Sequence, residues 1–208
     1  MIKAIWLLVN PEGAWESIRL NHRKMGVILL GYLLPFIIGS CALEGYVLVR
    51  WGRVRGEVPQ VRHYPRGEII MYETAQAVIS LLVVLLGTRL VKSIGETFHG
   101  RHTTTEVFTA VAFGMSPLFL ARCVDALPGI SPWLTWGVGI LLTMSLLYKG
   151  LPVIMRPDPP HAFGLFFMSS LLLFLITGLV RFLTTWYLHG KFPQLEKAVI
   201  DLGARLPF

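Results

Sequence analysis

The sequence predicts an all-α integral membrane protein: a bundle of five transmembrane helices with amphipathic interfacial helices at both ends. Three observations predict it. Hydrophobic residues make up 54% of the 208 residues and charged residues only 15%, against about 25% charged in an ordinary soluble domain. The mean hydropathy is +0.61. Long stretches contain no Asp, Glu, Lys or Arg at all. This composition excludes both a soluble globular domain and a disordered chain.

A hydrocarbon core of about 30 Å needs roughly 20 apolar residues per spanning helix. Met25 to Leu43 supplies 19 uncharged residues, Ala126 to Tyr148 supplies 23, and Pro159 to Val180 supplies 22. Thr74 to Thr88 and Val107 to Ala121 supply 15 each, and only Glu73 separates the former from the apolar Ile69–Tyr72. Five spans follow, near 25–48, 69–91, 107–127, 132–153 and 162–188. They are helices because lipid-exposed backbone must satisfy its own hydrogen bonds. Residues 1–24 form an N-terminal interfacial segment, 25–188 the transmembrane domain, and 189–208 a C-terminal amphipathic segment. Ala4 to Val9 is too short for a secretory h-region, so the first span is expected to be an uncleaved anchor.

At the N-terminus Asn10 is placed to cap a helix, with Pro11 at its first position and Glu12 in its first turn. Trp15 and Ile18 share a face, and Arg19, Arg23 and Lys24 follow. That mixture suits a helix on the membrane surface; a juxtamembrane linker is the alternative. At the C-terminus Leu195, Ala198, Val199 and Leu202 repeat with helical spacing, opposite Glu196, Lys197, Asp201 and Arg205. Pro35 and Pro117 predict kinks within spans one and three. Ala110 and Gly114 form a small-xxx-small pair that permits close helix contact. Residues 49–68 and 92–106 read as loops, the former with five arginines, and Pro128 to Pro132 as a tight turn.

The formal charge of +7 would suggest nucleic acid in a soluble chain. Here loops beside anionic headgroups account for it, and no nucleic-acid partner is expected. The 19 Lys and Arg split nine against ten between the two faces, so the positive-inside rule does not orient the chain. Cys41 and Cys123 both fall inside spans, which argues against a disulfide framework. No GxSxG elbow, Walker A loop or HExxH occurs, and Gly137-Val138-Gly139 lacks the rest of a nucleotide-binding pattern. His99 and His102 are a weak metal candidate, better read as loop residues. No cofactor is expected.

Ionisable residues inside spans are costly and mark sites. Here they are Glu44, Glu73, Arg122, Asp125 and Arg181. Alternation of five spans puts all five near the membrane face opposite the N-terminus. Either each snorkels to the interface independently, or they form one polar network between helices.

Gly114-Met115-Ser116-Pro117-Leu118-Phe119-Leu120, then Leu127-Pro128, then Leu147-Tyr148-Lys149-Gly150-Leu151-Pro152 resembles the bacterial branch of the Yip family, the Ypt/Rab-interacting membrane proteins. Asn10-Pro11-Glu12 with Trp15 and Ile18 resembles that family's opening, so the likeness covers about residues 8–185. It implies five spans, a cytoplasmic N-terminus in a bacterial inner membrane, and no enzyme activity. The motif residues Pro11, Trp15, Ser116, Pro117, Leu118, Pro128, Tyr148, Gly150 and Pro152 read as structural. Ser116-Pro117 kinks a helix, and Gly150 and Pro152 are expected to end one. Eukaryotic relatives act in vesicle traffic through small GTPases, but no GTPase-binding tail is evident here.

The leading functional expectation is a non-enzymatic interaction, organising or trafficking-type component, working with the lipid bilayer and a membrane-protein partner or a second copy. A small channel or transporter subunit using the polar layer is the alternative. An accessory subunit of a larger complex is another, and a membrane enzyme using His99, His102 or Asp125 the last.

Overall fold

A computed structural model describes residues 2–21, 23–55, 60–98, 102–125, 127 and 129–203, with backbone alone at 2, 3, 53–55, 60–62 and 125. Among the described residues five helical segments are long and apolar enough to cross a membrane: Met25–Trp51, Arg66–Thr97, Thr104–Val124, Pro132–Met155 and Pro159–Leu188. Two helices precede them, α1 (Ile2–Val9) and α2 (Pro11–Leu20). Asn10 separates the pair: its Oδ1 accepts the Gly13 N–H at 3.2 Å, and Pro11 opens α2. Sequence reading did not separate α1 as a helix. Ala4 and Leu7 bury it in the bundle core, where it touches the third and fourth spans.

Span one is α3 (Met25–Ile28), a π-helical turn (Leu29–Leu33) and α4 (Leu34–Trp51). In an unbroken α-helix the Pro35 ring would strike the carbonyl four residues back. The wide turn relieves this, with Leu34 N–H reaching Leu29 O, five residues back. The kink expected at Pro35 therefore takes the form of a π-bulge.

Between the first two spans, β1 (Arg53–Arg55) pairs antiparallel with β2 (Gln60–Arg62), Val54 opposite Val61. Three-residue strands are too short for the period-two pattern to stand out in the sequence. Span two is α5 (Arg66–Thr97), 32 residues and therefore about 48 Å long. It exceeds the hydrocarbon core, so it must tilt or project from it.

Span three breaks in the middle. Helix α6 (Thr104–Gly114) starts with a capping box between Thr103 and Glu106 and stops at Met115; α7 (Ser116–Asp125) follows. Pro117 has no N–H for Phe113 O. The Ser116 hydroxyl fills the vacancy at 2.6 Å. Tyr32 in turn hydrogen-bonds Ser116 Oγ and stacks on Phe113, ring centroids 4.2 Å apart. The break is thus satisfied from its own side chain and from span one, as backbone at membrane depth requires. Helix α6 is the centre of the bundle: Val107 through Gly114 are all buried.

Span four is α8 (Pro132–Met155), and the expectation that Gly150 and Pro152 end it is corrected. The helix passes through Pro152 and stops at Arg156, which takes the left-handed conformation at φ 45°. Gly150 has another task. A Cβ there would lie 2.4 Å from Cε2 of Trp15, so the glycine makes the seat for α2. Trp15 is accordingly buried in protein rather than in the headgroup zone. A Cβ on Gly114 would lie 2.6 Å from Leu147 Cδ2, which is the close contact the small-residue pair anticipates. Span five is α9 (Ala162–Leu188), preceded by a 3-10 turn at Pro159–His161. Helix α10 (Pro193–Gly203) folds back so that Gly203 meets Gly67 of α5 backbone to backbone.

Several buried hydroxyls along these apolar helices are returned to their own backbone. Thr88 donates to Val84 O and Thr177 to Leu173 O, each at 2.7 Å. This satisfies the hydroxyl's donor inside its own helix, and Thr177 Oγ1 is still able to accept from Trp136 Nε1 of α8.

Gly150→Ala should push Trp15 off its seat and cost about 1–3 kcal/mol of stability, read from the SDS-unfolding midpoint. Gly137→Ala, with nothing within 4 Å of the added carbon, should leave the midpoint unchanged or raise it. A second test concerns Glu12, whose Oε1 accepts from Lys149 Nζ at 2.9 Å. That bond and the adjacent positive charge hold the carboxyl below its ordinary value. A lowered folded-state value contributes above the ordinary carboxylate range and is lost as pH falls through the lowered value. The Glu12 carboxyl NMR signal should titrate below ordinary glutamate, and Lys149→Gln should return it.

Candidate functional site

Among the described side chains, three intramembrane charges meet. Glu44 comes from α4, Glu73 from α5 and Arg122 from α7. The Arg122 Nε donates to Glu44 Oε2 at 2.5 Å, and Nη2 donates to Glu73 Oε2 at 2.8 Å. The side chains are 12%, 3% and 11% exposed for Arg122, Glu44 and Glu73, so all three charges leave water. Each local sequence has a part in this. The break at Met115 re-aims α7 so that Arg122 points between α4 and α5. Gly45 lets α5 approach closely, since a Cβ there would sit 3.1 Å from Glu73 Cγ. Removing one such ion from water costs several kcal/mol, repaid only by close pairing. A guanidinium fork serves two carboxylates at once, which a lysine ammonium does not match.

The site holds two carboxylates against one guanidinium. Glu73 Oε1 is buried with no hydrogen-bond partner among the described residues, and the Cys41 thiol lies beside this group. Arg181 has other partners. Its Nε and Nη2 donate to Pro132 O at 3.0 and 2.8 Å, and Nη2 reaches Thr135 Oγ1 at 3.4 Å. It thereby holds the first turn of α8 to α9. Arg181, Arg122 and Glu44 nevertheless line one cleft of about 110 Å³ between α4, α5, α7, α8 and α9, with Val83, Met115 and Phe119 at its apolar end. That volume has room for several waters. Asp125 closes α7, and its side chain lies outside the described residues.

The neutral wall of this cleft escaped a search confined to Asp, Glu, Lys and Arg. Gln76 Nε2 donates to Tyr72 Oη at 3.0 Å, and Tyr72 stacks on Tyr187 with centroids 5.5 Å apart. Trp136 Nε1 donates to Thr177 Oγ1 at 3.3 Å. A usable signal existed in Tyr72-Glu73 with Gln76 three residues on, which sets three polar groups on one side of α5.

Among the described residues no group of three His, Cys, Asp or Glu side chains is arranged to hold an ion. His102 Nε2 lies 3.3 Å from Lys92 O and the ring packs against Gly95; His99 is outside the described residues. The Gly137-Val138-Gly139 run is helical, and Gly139 makes room for Leu118 and Ala121 of α7.

Several of the motif residues shape helix ends or make close contacts. Pro11 opens α2, Trp15 and Gly150 interlock, Ser116 and Pro117 form the break, and Leu118 packs at Gly139. Tyr148 is exposed on α8, and Pro128 lies outside the described residues. A family model for the Yip1 domain matches residues 6–182. The chain belongs to the Yip1 domain family. No curated protein and no solved structure matches it. The Yip1 match begins within α1 and ends within α9, so it contains Glu44, Glu73, Arg122 and Arg181 and leaves α10 outside. The Yip1 family is not known as enzymatic.

Arg122→Ala leaves two carboxylates buried without their cation, and the expected cost is about 3–5 kcal/mol. The triple change Glu44→Gln, Glu73→Gln, Arg122→Met removes every charge and should recover most of that loss. Unfolding free energies of the three proteins in one detergent check both statements.

Proposed function

We propose that this Yip1-family membrane protein is a non-enzymatic organising component, offering its two terminal helices as contact surfaces for the bilayer and a membrane-protein partner or second copy. One observation carries the reading. Both terminal helices are seated on the bundle by contacts that tolerate no added carbon, Trp15 on Gly150 and Gly203 on Gly67. Both still present apolar side chains outward, Leu20 on α2 and Leu195 and Leu202 on α10. A rigidly held amphipathic helix is suited to lie in the headgroup boundary. The family resemblance supports a bacterial inner-membrane address with a cytoplasmic N-terminus.

A channel or transporter reading has the cleft at Glu44, Arg122 and Arg181 in its favour. Its weakness is the apolar end at Val83, Met115 and Phe119, with Phe108, Val111, Leu147 and Leu173 filling the core beyond. A packed apolar half gives an ion no hydrated path. The charge cluster is better suited to locking α4, α5 and α7 together.

Purification of the tagged protein from its native membrane in mild detergent, with quantified copurifying proteins, tests the proposal. The expected result is a stoichiometric membrane partner or a homo-oligomer, diminished by Gly67→Val, which releases α10. A partner-free monomer together with ion flux in proteoliposomes, abolished by Glu73→Gln, would replace this reading with the channel.

A further inference from the structure

Helix α10 roofs a groove that the bundle leaves unfilled. Its end is pinned where Gly203 meets Gly67 of α5. Nearer its start, Leu195 and Val199, one turn apart, overhang the groove. The floor is Met71, Ala75 and Ile79 of α5, also spaced by one turn, and α9 supplies Leu183 and Tyr187 as the far wall. The groove is open and holds about 350 Å³; Tyr72, Gln76 and Thr184 also line it, but its accessible wall is almost wholly apolar. From Met71 to Ile79 it runs about 12 Å along α5.

What fills the groove follows from what it joins. It is continuous with the outward apolar surfaces of both spanning helices, through Ile70, Val78 and Leu82 on α5 and Leu179 and Leu183 on α9, all exposed. In a chain that crosses the bilayer, hydrocarbon covers those surfaces. A peptide entering the groove would bring backbone N–H and C=O groups to a wall with almost nothing to bond them, at several kcal/mol per group. An acyl chain brings none. Its headgroup level is marked at the mouth. Trp186 packs between Phe182 and Phe192, at 4.3 and 6.1 Å between centroids, beside Lys191. Aromatic and basic residues together are the usual composition of the interface.

We propose that one acyl chain of a bilayer phospholipid lies beneath α10, in the groove between α5 and α9, so that α10 clasps a lipid as well as resting on the membrane. The proposal rests on the reading of α10 as an interfacial helix. It adds a defined lipid site, distinct from the lipid that coats the bundle. The clasped chain fills the space that α10 and the spanning helices leave between them.

The test uses the full-length protein in vesicles of phosphatidylcholine carrying a diazirine in one acyl chain. Photocrosslinks are mapped by peptide. The expected result is enrichment on peptides containing Met71–Ile79 and Leu195–Val199 over the exposed outer face of α9 at Phe167–Leu175. Ala75→Trp fills the groove and should lower the first set about tenfold, the equivalent of roughly two methylenes expelled from an apolar site. The α9 set should not change. Ile79→Trp serves as the second variant if Ala75→Trp does not fold. Equal labelling of both sets, unaltered by the tryptophan, overturns the proposal in favour of ordinary coating lipid. Loss of groove labelling as protein density in the vesicles rises, with crosslinks between copies, overturns it in favour of a second copy. A partner found or not found on purification leaves this readout unmoved, so the two proposals fail separately.

Discussion

Arg122 ties two carboxylates from two other spanning helices, and the architecture depends on delivering its guanidinium to them. A charge at this depth is tolerated only where its partners are already in place. Three helices must therefore meet with their register fixed, α4 at Glu44, α5 at Glu73 and α7 at Arg122. Apolar helix faces in lipid slide past one another with little penalty, because lipid tails are as apolar as leucine. A buried ion triad does not permit that freedom.

The triad in turn requires the break in span three. Met115 ends α6, and Pro117 forbids the hydrogen bond that would continue it. Ser116 and Tyr32 satisfy what the break exposes. Tyr32 itself lies in the π-helical turn of span one, which Pro35 imposes. Two prolines in different spans thus shape two irregular turns that meet. Ser116 serves the carbonyl of Phe113 that Pro117 frees, and the Tyr32 hydroxyl joins Ser116 from span one.

The ends of the chain are governed by contact distance rather than charge. Trp15 on Gly150 and Gly203 on Gly67 bring helices together where a methyl group would separate them. Membrane helix association relies on such close packing, because no hydrophobic gain is available inside lipid. One difference between the two ends bears on function. Helix α2 buries Ala14, Trp15 and Ile18 against the bundle, whereas in α10 Gly203 alone is buried. The C-terminal helix leaves Leu195 and Leu202 exposed, and it lies beyond the part of the chain that the Yip1 model matches.

The sequence by itself determined the fold class, the existence of five spans, the Asn10 cap and the positions of both kinks. Each depends on local composition or on the chemistry of one proline or asparagine. The depth shared by Glu44, Glu73 and Arg122 was legible too, because it follows from counting residues along alternating helices. Tertiary structure alone decided which charges touch. Rotation about each helix axis is not written in a pattern that is apolar all round. The bonds from Arg181 to Pro132 and Thr135 are one such outcome. The role of Gly150 was hidden for a similar reason: beside Pro152 it reads as a helix end, and only the arrival of Trp15 from a distant segment makes it a packing surface. The groove under α10 was likewise invisible, since a space between three helices belongs to none of their sequences.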